Sequence, residues 1–566
     1  MKKLFSFLTL IIIVFCVAFS NELLVLSVFL LGLFSFLAYM FITSDKNTTT
    51  SNYLTISYVL FSFILTGYSL SRVLNSSYSY HPVITTVILS IVLPTFFLLW
   101  YRIIIATHCF LDSLINKNQK TDNSADINPN LSCSIVISTR NEPFDVCKMT
   151  FDSAHQIEHP THLKEIIVVD NSDLSYKDFD KWKDYVSSHA DFYNGKCKFI
   201  HRDGIEGFKP RNLDLAMEHI SCDYVLFLDA DSTVPKEILH VGLKEFKKNK
   251  KLGFLSFLIE STNYGVNLIT KVSSIFQNTI RYFNEFVGKS GYCNYQGHNG
   301  IWSKEALKAI SKWEEYHKSQ VMVTEDIAAS FRCYAAGFIS KPIFLKTGEW
   351  VPTSLKEFEK MWLRWSFGGM QIMNKYLYKI ISSTKLCFRV KLDMMYLLFK
   401  VVISIMPIFA LLLVIFPKSN LGFVCIVNLS LLPLIILSVW YYIYGDIKGT
   451  ILSKIGQIYT AMFMLSSFVF WCCIKAEINY YFNRKQGWKP TSKVFDKPDS
   501  WLVVLYDNQG KILFSLIGII SAMLSIYKYY DSTDFWLYFW CMIPSMLLFI
   551  NTILCILILG KNKSQS

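Results

Sequence analysis

The chain has 566 residues, of which 52% are hydrophobic, 16% aromatic and only 17% charged, with 56 Lys and Arg against 43 Asp and Glu. A mean hydropathy of +0.33 excludes an ordinary soluble globule and equally an intrinsically disordered chain. The formal charge of +13 is lysine placed to meet anionic lipid headgroups, and it does not call for nucleic acid.

Taken in order, eight apolar runs are long enough to cross a bilayer, about 17 residues or more each. They are roughly 4–20, 22–42, 53–73, 84–104, 394–416, 421–444, 511–529 and 534–558. The first could pass for a signal peptide. A second run follows after only Ser20, Asn21 and Glu22, so a retained helical hairpin is favoured. The loops "SNE", "NSSYSYHP", "PKSN" and "DSTD" hold a single lysine, Lys418, whereas "MKK", "SDKN", "LINKNQK", "GDIKGTILSK" and "KNKSQS" are all basic. The basic set, both termini and the long polar insert are therefore expected on the cytoplasmic side of the plasma or inner membrane.

The expected segments are a four-span bundle over 1–106, a soluble domain over 130–350, interface helices over 351–392 and spans five and six over 393–445. An interface helix and loop over 446–510 and spans seven and eight over 511–560 complete the chain. The apolar stretch 455–478 is left out of the count, because a crossing there would put the basic loop 482–497 outside. It is read as an interfacial or protein-buried helix, as is 355–380. The fourteen cysteines show no CxxC spacing and read as reduced and structural.

Within 130–350, "CSIVIST" (133–139), "EIIVVDNS" (165–172), "CKFIHR" (197–202), "DYVLFLDAD" (223–231) and "LGFLSFL" (252–258) read as strands, several apolar enough to be buried on both faces. "RNLDLAMEHI" (211–220) and "PKEILHVGLKEFKKN" (235–249) have helical period. This alternation predicts an α/β sheet whose ligands bind beyond the carboxyl ends of the strands. The residues there are Thr139, Asn141 and Glu142, then Asp170, then Asp229 and Asp231. Two carboxylates spaced as DxD can hold one divalent cation on a diphosphate, although a solvated turn gives the same pattern. In "QGHNG" (296–300) small residues admit a ligand beside His298, and a lone histidine is more often structural. "VTEDIAAS" (323–330) opens a helix with Glu325 and Asp326. Capping by Thr324 and the helix dipole would explain both acids, as would a general base beside an acceptor hydroxyl.

In this order, "STRNEP", "VVDNSD", "GFKPRN", "LDADS", "GHNG", "TED" and "RW" resemble the family 2 glycosyltransferases of the membrane-embedded polysaccharide synthases. Cellulose, curdlan, chitin and hyaluronan synthases are the well-known members, and the resemblance covers about 130–500. It implies a cytoplasmic α/β nucleotide-sugar transferase domain, GT-A and Rossmann-like, inserted between two bundles of transmembrane α-helices with about eight spans. It further implies an inverting enzyme that polymerises sugar from a UDP-sugar, with UDP-glucose the expected donor. A growing β-glycan is the acceptor, the product crosses the bilayer, and Mg²⁺ or Mn²⁺ is the cofactor.

Carried over by position, Thr139, Glu142 and Asp170 hold the uridine, Lys209 approaches the donor diphosphate, and Asp229 and Asp231 bind metal. Gly297, His298, Asn299 and Glu325 belong to the acceptor side, and Asp326 is the base. "MWLRW" aligns Arg364 as a counter-charge to the diphosphate and Trp365 as a stacking floor for the acceptor. The family's glutamine is Met361 here, which weakens the inference of processivity. Trp362 matches no family position and is assigned to packing at the membrane interface. "FNRKQGWKPTSK" (482–493) resembles the loop that closes over bound donor, with Trp488, Thr491 and Lys493 matching and Pro490 in place of valine.

Three alternatives stand beside this reading. One is transfer of a single sugar to a lipid or teichoic-type carrier, and another is an amino-sugar polymer. The third is a non-enzymatic transporter or sensor, disfavoured because the spans show few charge pairs. Partner subunits are not legible in the sequence.

Overall fold

The computed structural model describes residues 55–64, 66–67, 97–109, 131–289, 291–399, 435–439, 441–443, 447–484, 500–528 and 535–560, with Leu37, Leu111, Gly445, Tyr530 and Asp531 standing singly. The chain divides into two units: 106–376 with 479–497 and 564–566, and 1–105 with 377–478 and 498–563.

The first unit is built on a seven-stranded sheet. Its strands are β1 (Cys133–Thr139), β2 (Lys164–Asp170), β3 (Cys197–His201), β4 (Tyr224–Asp229), β5 (Leu252–Ser261), β6 (Gly300–Ser303) and β9 (Ile339–Glu349), and they lie in the order β3-β2-β1-β4-β6-β5-β9. β1, β2, β3 and β4 are mutually parallel, β6 runs antiparallel to both β4 and β5, and β5 is parallel to β9. The apolar runs of β1, β2 and β4 are buried almost throughout, because helices cover both faces. Helices α1 (Phe144–His155), α2 (Phe179–Ser187), α3 (Phe208–His219) and α4 (Ile238–Lys248) follow the first four strands. Phe151, Trp182, Ile238 and Phe246 seal the resulting core. The five predicted strands and two predicted helices are all present, within a few residues at each end.

The second half of the sheet is less regular. Between β5 and β9 lie α5 (Leu268–Gly288), β6, α6 (Lys304–Ile310), the two-stranded hairpin β7 (Tyr316–His317) and β8 (Gln320–Val321), and α7 (Glu325–Ala335). An isolated bridge joins Thr233 to Gly348, so the end of β9 lies beside the loop that follows β4. Helix α8 (Leu355–Ser382) comes next. Its Phe358 and Trp362 pack on Phe276 of α5, with ring centroids 6.2 and 5.7 Å apart. Trp362 is 4% exposed and so belongs to the protein interior, which corrects its assignment to the membrane interface. An aromatic contact with α5 takes up the surface that a headgroup would have covered.

The described residues of the second unit are mostly helical. Two described helices, Ile451–Tyr481 and Gln509–Lys528, are long and apolar enough to cross a membrane by length and composition. Ile451–Tyr481 is the stretch withheld from the span count. It passes through a π-helical segment at Thr460–Leu465, and 61% of its apolar window is buried inside the protein. The expected span 4–20, all of 22–42 but Leu37, and most of 84–104, 394–416 and 421–444 lie outside the described residues, whereas 55–64 and 66–67 of the expected span 53–73 are described as helix. A buried ion cluster joins Asp393 to Arg102 Nη1 at 3.2 Å and to Arg389 Nε at 2.6 Å. One charge pair therefore does lie at the ends of the expected fourth and fifth spans.

Gly253 in β5 makes a packing prediction. A Cβ there would collide with Cys333 Sγ of α7 and lie 2.9 Å from Phe338 Cβ. Gly253→Ala should cost about 1–3 kcal/mol by overpacking, read as a lowered Tm of the purified protein.

Candidate active site

The site is assembled at the carboxyl ends of β1, β2 and β4, where side chains leave the sheet together. On one side, Asp170 is fully buried and accepts hydrogen bonds from Thr139 Oγ1 (2.7 Å), Ser172 N (2.9 Å) and Ser172 Oγ (2.7 Å). His201 Nδ1 lies 3.3 Å from the same carboxylate. Trp182 Nε1 donates to Thr139 Oγ1 at 3.3 Å. Thr139 and Asp170 are thus brought together as a closed pair locking β1 to β2, and Glu142 stands on the turn just beyond β1. Asn141 takes the left-handed conformation at that turn (φ 49°), which asparagine tolerates better than most residues.

At the centre, Lys209 from α3 places Nζ 2.5 Å from Asp229 Oδ1 and donates to the Gly297 carbonyl at 3.0 Å. Gly297 has φ +91°, and a Cβ built on it would meet Asp326 Oδ2 at 3.3 Å and Lys209 Nζ at 3.7 Å. Only glycine brings backbone this close to both groups without strain. Burial alone would lower the Lys209 ammonium, but Asp229, Glu325 and Asp326 outweigh it and hold it above its usual value. Burial pushes Glu325 up to about 7, with Asp326 adding to the rise and Lys209 opposing it. Asp326 is also raised by burial, against the Ile327 N–H and Lys209. Arg364, on α8, is drawn down by burial while feeling Glu325, Asp229 and Asp326. Trp365, one residue on, is 38% exposed and stands edge-on to Trp362 at 5.2 Å.

A third group was not legible in the sequence. Asp229 N donates to Ser232 Oγ (3.0 Å), which lies 3.4 Å from His298 Nδ1. His298 Nε2 is 2.6 Å from Glu349 Oε2, and Glu349 is ion-paired with Arg281 of α5. Burial lowers His298, so the neutral imidazole carries its proton on Nε2 toward Glu349 and leaves Nδ1 to accept. Burial also brings Arg281 down to about 9, against Asp231. Asp231 Oδ2 accepts from the Trp350 N–H at 3.1 Å. Asn299 spends its amide on Thr347 Oγ1 (3.0 Å) and Gly348 O (3.1 Å), which holds the turn before β6 in place. Glu349 closes β9 within "TGEWVP" (347–352), and no continuous apolar run ahead of it marks the strand.

The start of α7 is not capped as expected. Thr324 is the N-cap residue but its side chain makes no capping bond, and its hydroxyl is buried without a hydrogen-bond partner. Two residues of α8 hold this turn instead. Gly368 leaves room that any Cβ would take from Thr324. Gln371 accepts from Val323 N and donates to Val321 O, both at 3.0 Å. Met361 Sδ lies 3.8 Å from Gln277 Nε2 of α5. The hairpin β7–β8 reaches residues 480–483: His317 Nε2 is 2.8 Å from Tyr480 Oη, and Gln320 Nε2 donates to Asn483 Oδ1 at 3.1 Å. Trp488, Thr491 and Lys493 lie outside the described residues.

Among the described residues no group of three or more His, Cys, Asp or Glu is arranged to hold a metal. Asp229 and Asp231 nevertheless offer two hard carboxylate donors, the ligand type a magnesium-like cation takes.

Residues 134–311 match the model for "Glycosyl transferase family 2" and 224–475 that for "Glycosyl transferase family group 2". The protein is a glycosyltransferase, similar over these stretches to family 2 domains. This glycosyltransferase is 24% identical over 415 residues to "Glucomannan 4-beta-mannosyltransferase 7" of Arabidopsis thaliana, covering 68% of the chain and 69% of that protein. It is 26% identical over 264 residues to "Poly-beta-1,6-N-acetyl-D-glucosamine synthase" of Staphylococcus epidermidis, covering 45% of the chain and 58% of that protein. Two rice relatives named as probable glucomannan 4-beta-mannosyltransferases are matched over 55% and 43% of their length. A solved mannosyltransferase of Pyrobaculum calidifontis aligns at 13% identity and a TM-score of 0.41, covering 69% of this chain and 99% of that one.

Glu325 gives a pH prediction. It binds its proton more tightly folded than unfolded, so the glycosyltransferase loses stability as pH rises from about 4.5 to about 7. Glu325→Gln removes that slope, and its Tm should gain on the wild type steadily between about pH 5 and pH 8.

Proposed function

We propose that this glycosyltransferase elongates a β-linked polysaccharide from a nucleotide sugar, with UDP-glucose the preferred donor, and passes the chain across a cell membrane. The observation that carries the reading is the convergence of Lys209, Asp229, Gly297 and Asp326 on one point, contributed by four separate segments of chain. In an in-line transfer, Asp326 takes the proton of the acceptor hydroxyl as that oxygen bonds to the anomeric carbon. The bond from that carbon to the diphosphate breaks on the opposite face, so an α-linked donor gives a β-linked product. A carboxylate raised by burial is a better base at neutral pH than one in water. Lys209 and Arg364 neutralise charge on the leaving diphosphate. Asp229 and Asp231 would hold Mg²⁺ or Mn²⁺, which supplies further charge neutralisation there.

Thr139, Glu142 and Asp170 form the nucleoside end of the site, and Thr491 and Lys493 belong to a loop that covers the donor. The acceptor sugar stacks on the exposed face of Trp365, flanked by Gly297, His298, Asn299 and Glu325. The lysine bias of the loops supports a multi-pass arrangement of about eight spans with this domain and both termini cytoplasmic. The names of the relatives, a glucomannan mannosyltransferase and a poly-N-acetylglucosamine synthase, support a β-linked hexose or amino-sugar polymer as product. A second reading, transfer of one sugar to a lipid carrier, is favoured by Met361, an apolar side chain where the synthases keep an amide.

Asp326→Asn should lower kcat by about 10²- to 10⁴-fold while donor binding persists; an undiminished rate in the purified variant would sink the mechanism. Chelation with EDTA should abolish turnover, and Mg²⁺ or Mn²⁺ should restore it. A panel of nucleotide hexoses and N-acetylhexosamines, followed by sizing of the product, decides both donor and processivity. A product one sugar longer than its acceptor would favour the lipid-carrier reading.

A further inference from the structure

Glu349 closes β9 and has no part in the mechanism above. Its side chain is 13% exposed, and both oxygens are committed inside the protein. Oε1 pairs with Arg281 of α5, and Oε2 lies 2.6 Å from His298 Nε2. Arg281 Nη2 also donates to Gln277 Oε1 at 3.3 Å. A further acid beside Asp231 adds repulsion in a largely buried place, and a glutamine of the same shape would avoid that cost. A glutamine could not replace it in function, because two donors meet here and an amide offers them one acceptor. Glu349 therefore acts through its neighbours, and the question is where they lead.

They lead to the loop after β4. Asp229 N–H donates to Ser232 Oγ (3.0 Å), Ser232 Oγ lies 3.4 Å from His298 Nδ1, and His298 Nε2 meets Glu349. A backbone N–H can only donate and a carboxylate can only accept, so the two ends set the sense of the hydroxyl and of the neutral imidazole between them. The backbone on either side of Glu349 grips the same loop. Thr233 N donates to Gly348 O at 3.0 Å and Gly348 N to Thr233 O at 2.7 Å, and a Cβ on Gly348 would collide with Thr233 Oγ1. Trp350 N–H donates to Asp231 Oδ2 at 3.1 Å. We infer that Glu349 is a positioning residue for the cation site. Through His298 and Ser232 it fixes the loop that carries Asp229 and Asp231, so both carboxylates are in place before Mg²⁺ or Mn²⁺ binds. The inference rests on the cation site proposed above. A purely structural tie between β9 and α5 is the competing account.

Metal binding without turnover separates the two. Full-length purified protein is titrated with Mn²⁺ in the presence of UDP, and separately of GDP, and free Mn²⁺ is read by electron paramagnetic resonance. Glu349→Gln and Ser232→Ala should each weaken Mn²⁺ about tenfold, the lower end for outer partners of metal ligands. Combined, they should weaken it little further than either alone, because both break one chain. Ser232→Ala leaves the Arg281–Glu349 pair in place, so it tests the chain even where Glu349→Gln folds poorly. At saturating Mn²⁺ the Glu349→Gln enzyme should regain near wild-type kcat. Unchanged Mn²⁺ affinity in either single variant, losses that multiply in the double variant, or a kcat that Mn²⁺ does not restore would each overturn the inference, the first in favour of the structural tie. Wild-type protein that binds no Mn²⁺ with either nucleotide would sink the proposed cation site along with it, whereas tight wild-type binding with indifferent variants sinks the positioning role alone.

Discussion

Carboxylates repel, and Asp229, Asp231, Glu325, Asp326 and Glu349 are gathered at one end of a sheet, where water is scarce. They can stay there only because Lys209, Arg281 and Arg364 are interleaved among them. A buried charge left alone costs several kcal/mol, so each cation is a condition of the fold as well as a candidate for chemistry. The acids outnumber these cations by two. Burial is the main reason the Glu325 and Asp326 carboxyls are raised, and the neighbouring acids add to it.

The division of labour is simple in outline. The acids come from strand ends and the first turn of α7, positions fixed by backbone hydrogen bonds. The cations come from three helices: α3 packs on β1 and β2, α5 on β5 and β9, and α8 on α5. Long basic side chains can cross the intervening distance with their stems in apolar surroundings and deliver only the charge. Glu349 shows the coupling: it holds His298 on one side and Arg281 on the other, and so ties the turn beside β6 to α5.

Much of this was legible in the sequence, for physical reasons. Strands buried on both faces leave long apolar runs, and β1, β2, β4 and β5 announced themselves that way. Residues that follow such runs must sit at the sheet edge, so the pattern of apolar runs was enough to place Asp170, Asp229 and Asp231. β6 is only four residues long and β9 alternates without a clear period, so Glu349 had no strand to point from. Arg281 lay within a helix whose pattern is ordinarily amphipathic, and its pairing with a residue 68 positions away is a tertiary fact with no local trace. The tryptophan pair was half legible. Trp365 is the outward member, while Trp362 reads as amphipathic in any sequence and is buried only because Phe276 happens to face it. Asp326 was found as a motif, but its support by Gln371 and Gly368 came from a different element altogether.

That support has a mechanical meaning. Gln371 grips both backbone groups of the turn before α7, Gly368 fits against Thr324, and the same helix carries Arg364. Asp326, the proposed proton acceptor, and Arg364, the proposed counter-charge to the diphosphate, are thereby mounted on one lever. Should α8 tilt as the proposed synthase advances its product, both ends of the proposed reaction axis would travel together. The span between them would be conserved through the stroke, and the catalytic geometry would need no resetting between one sugar and the next.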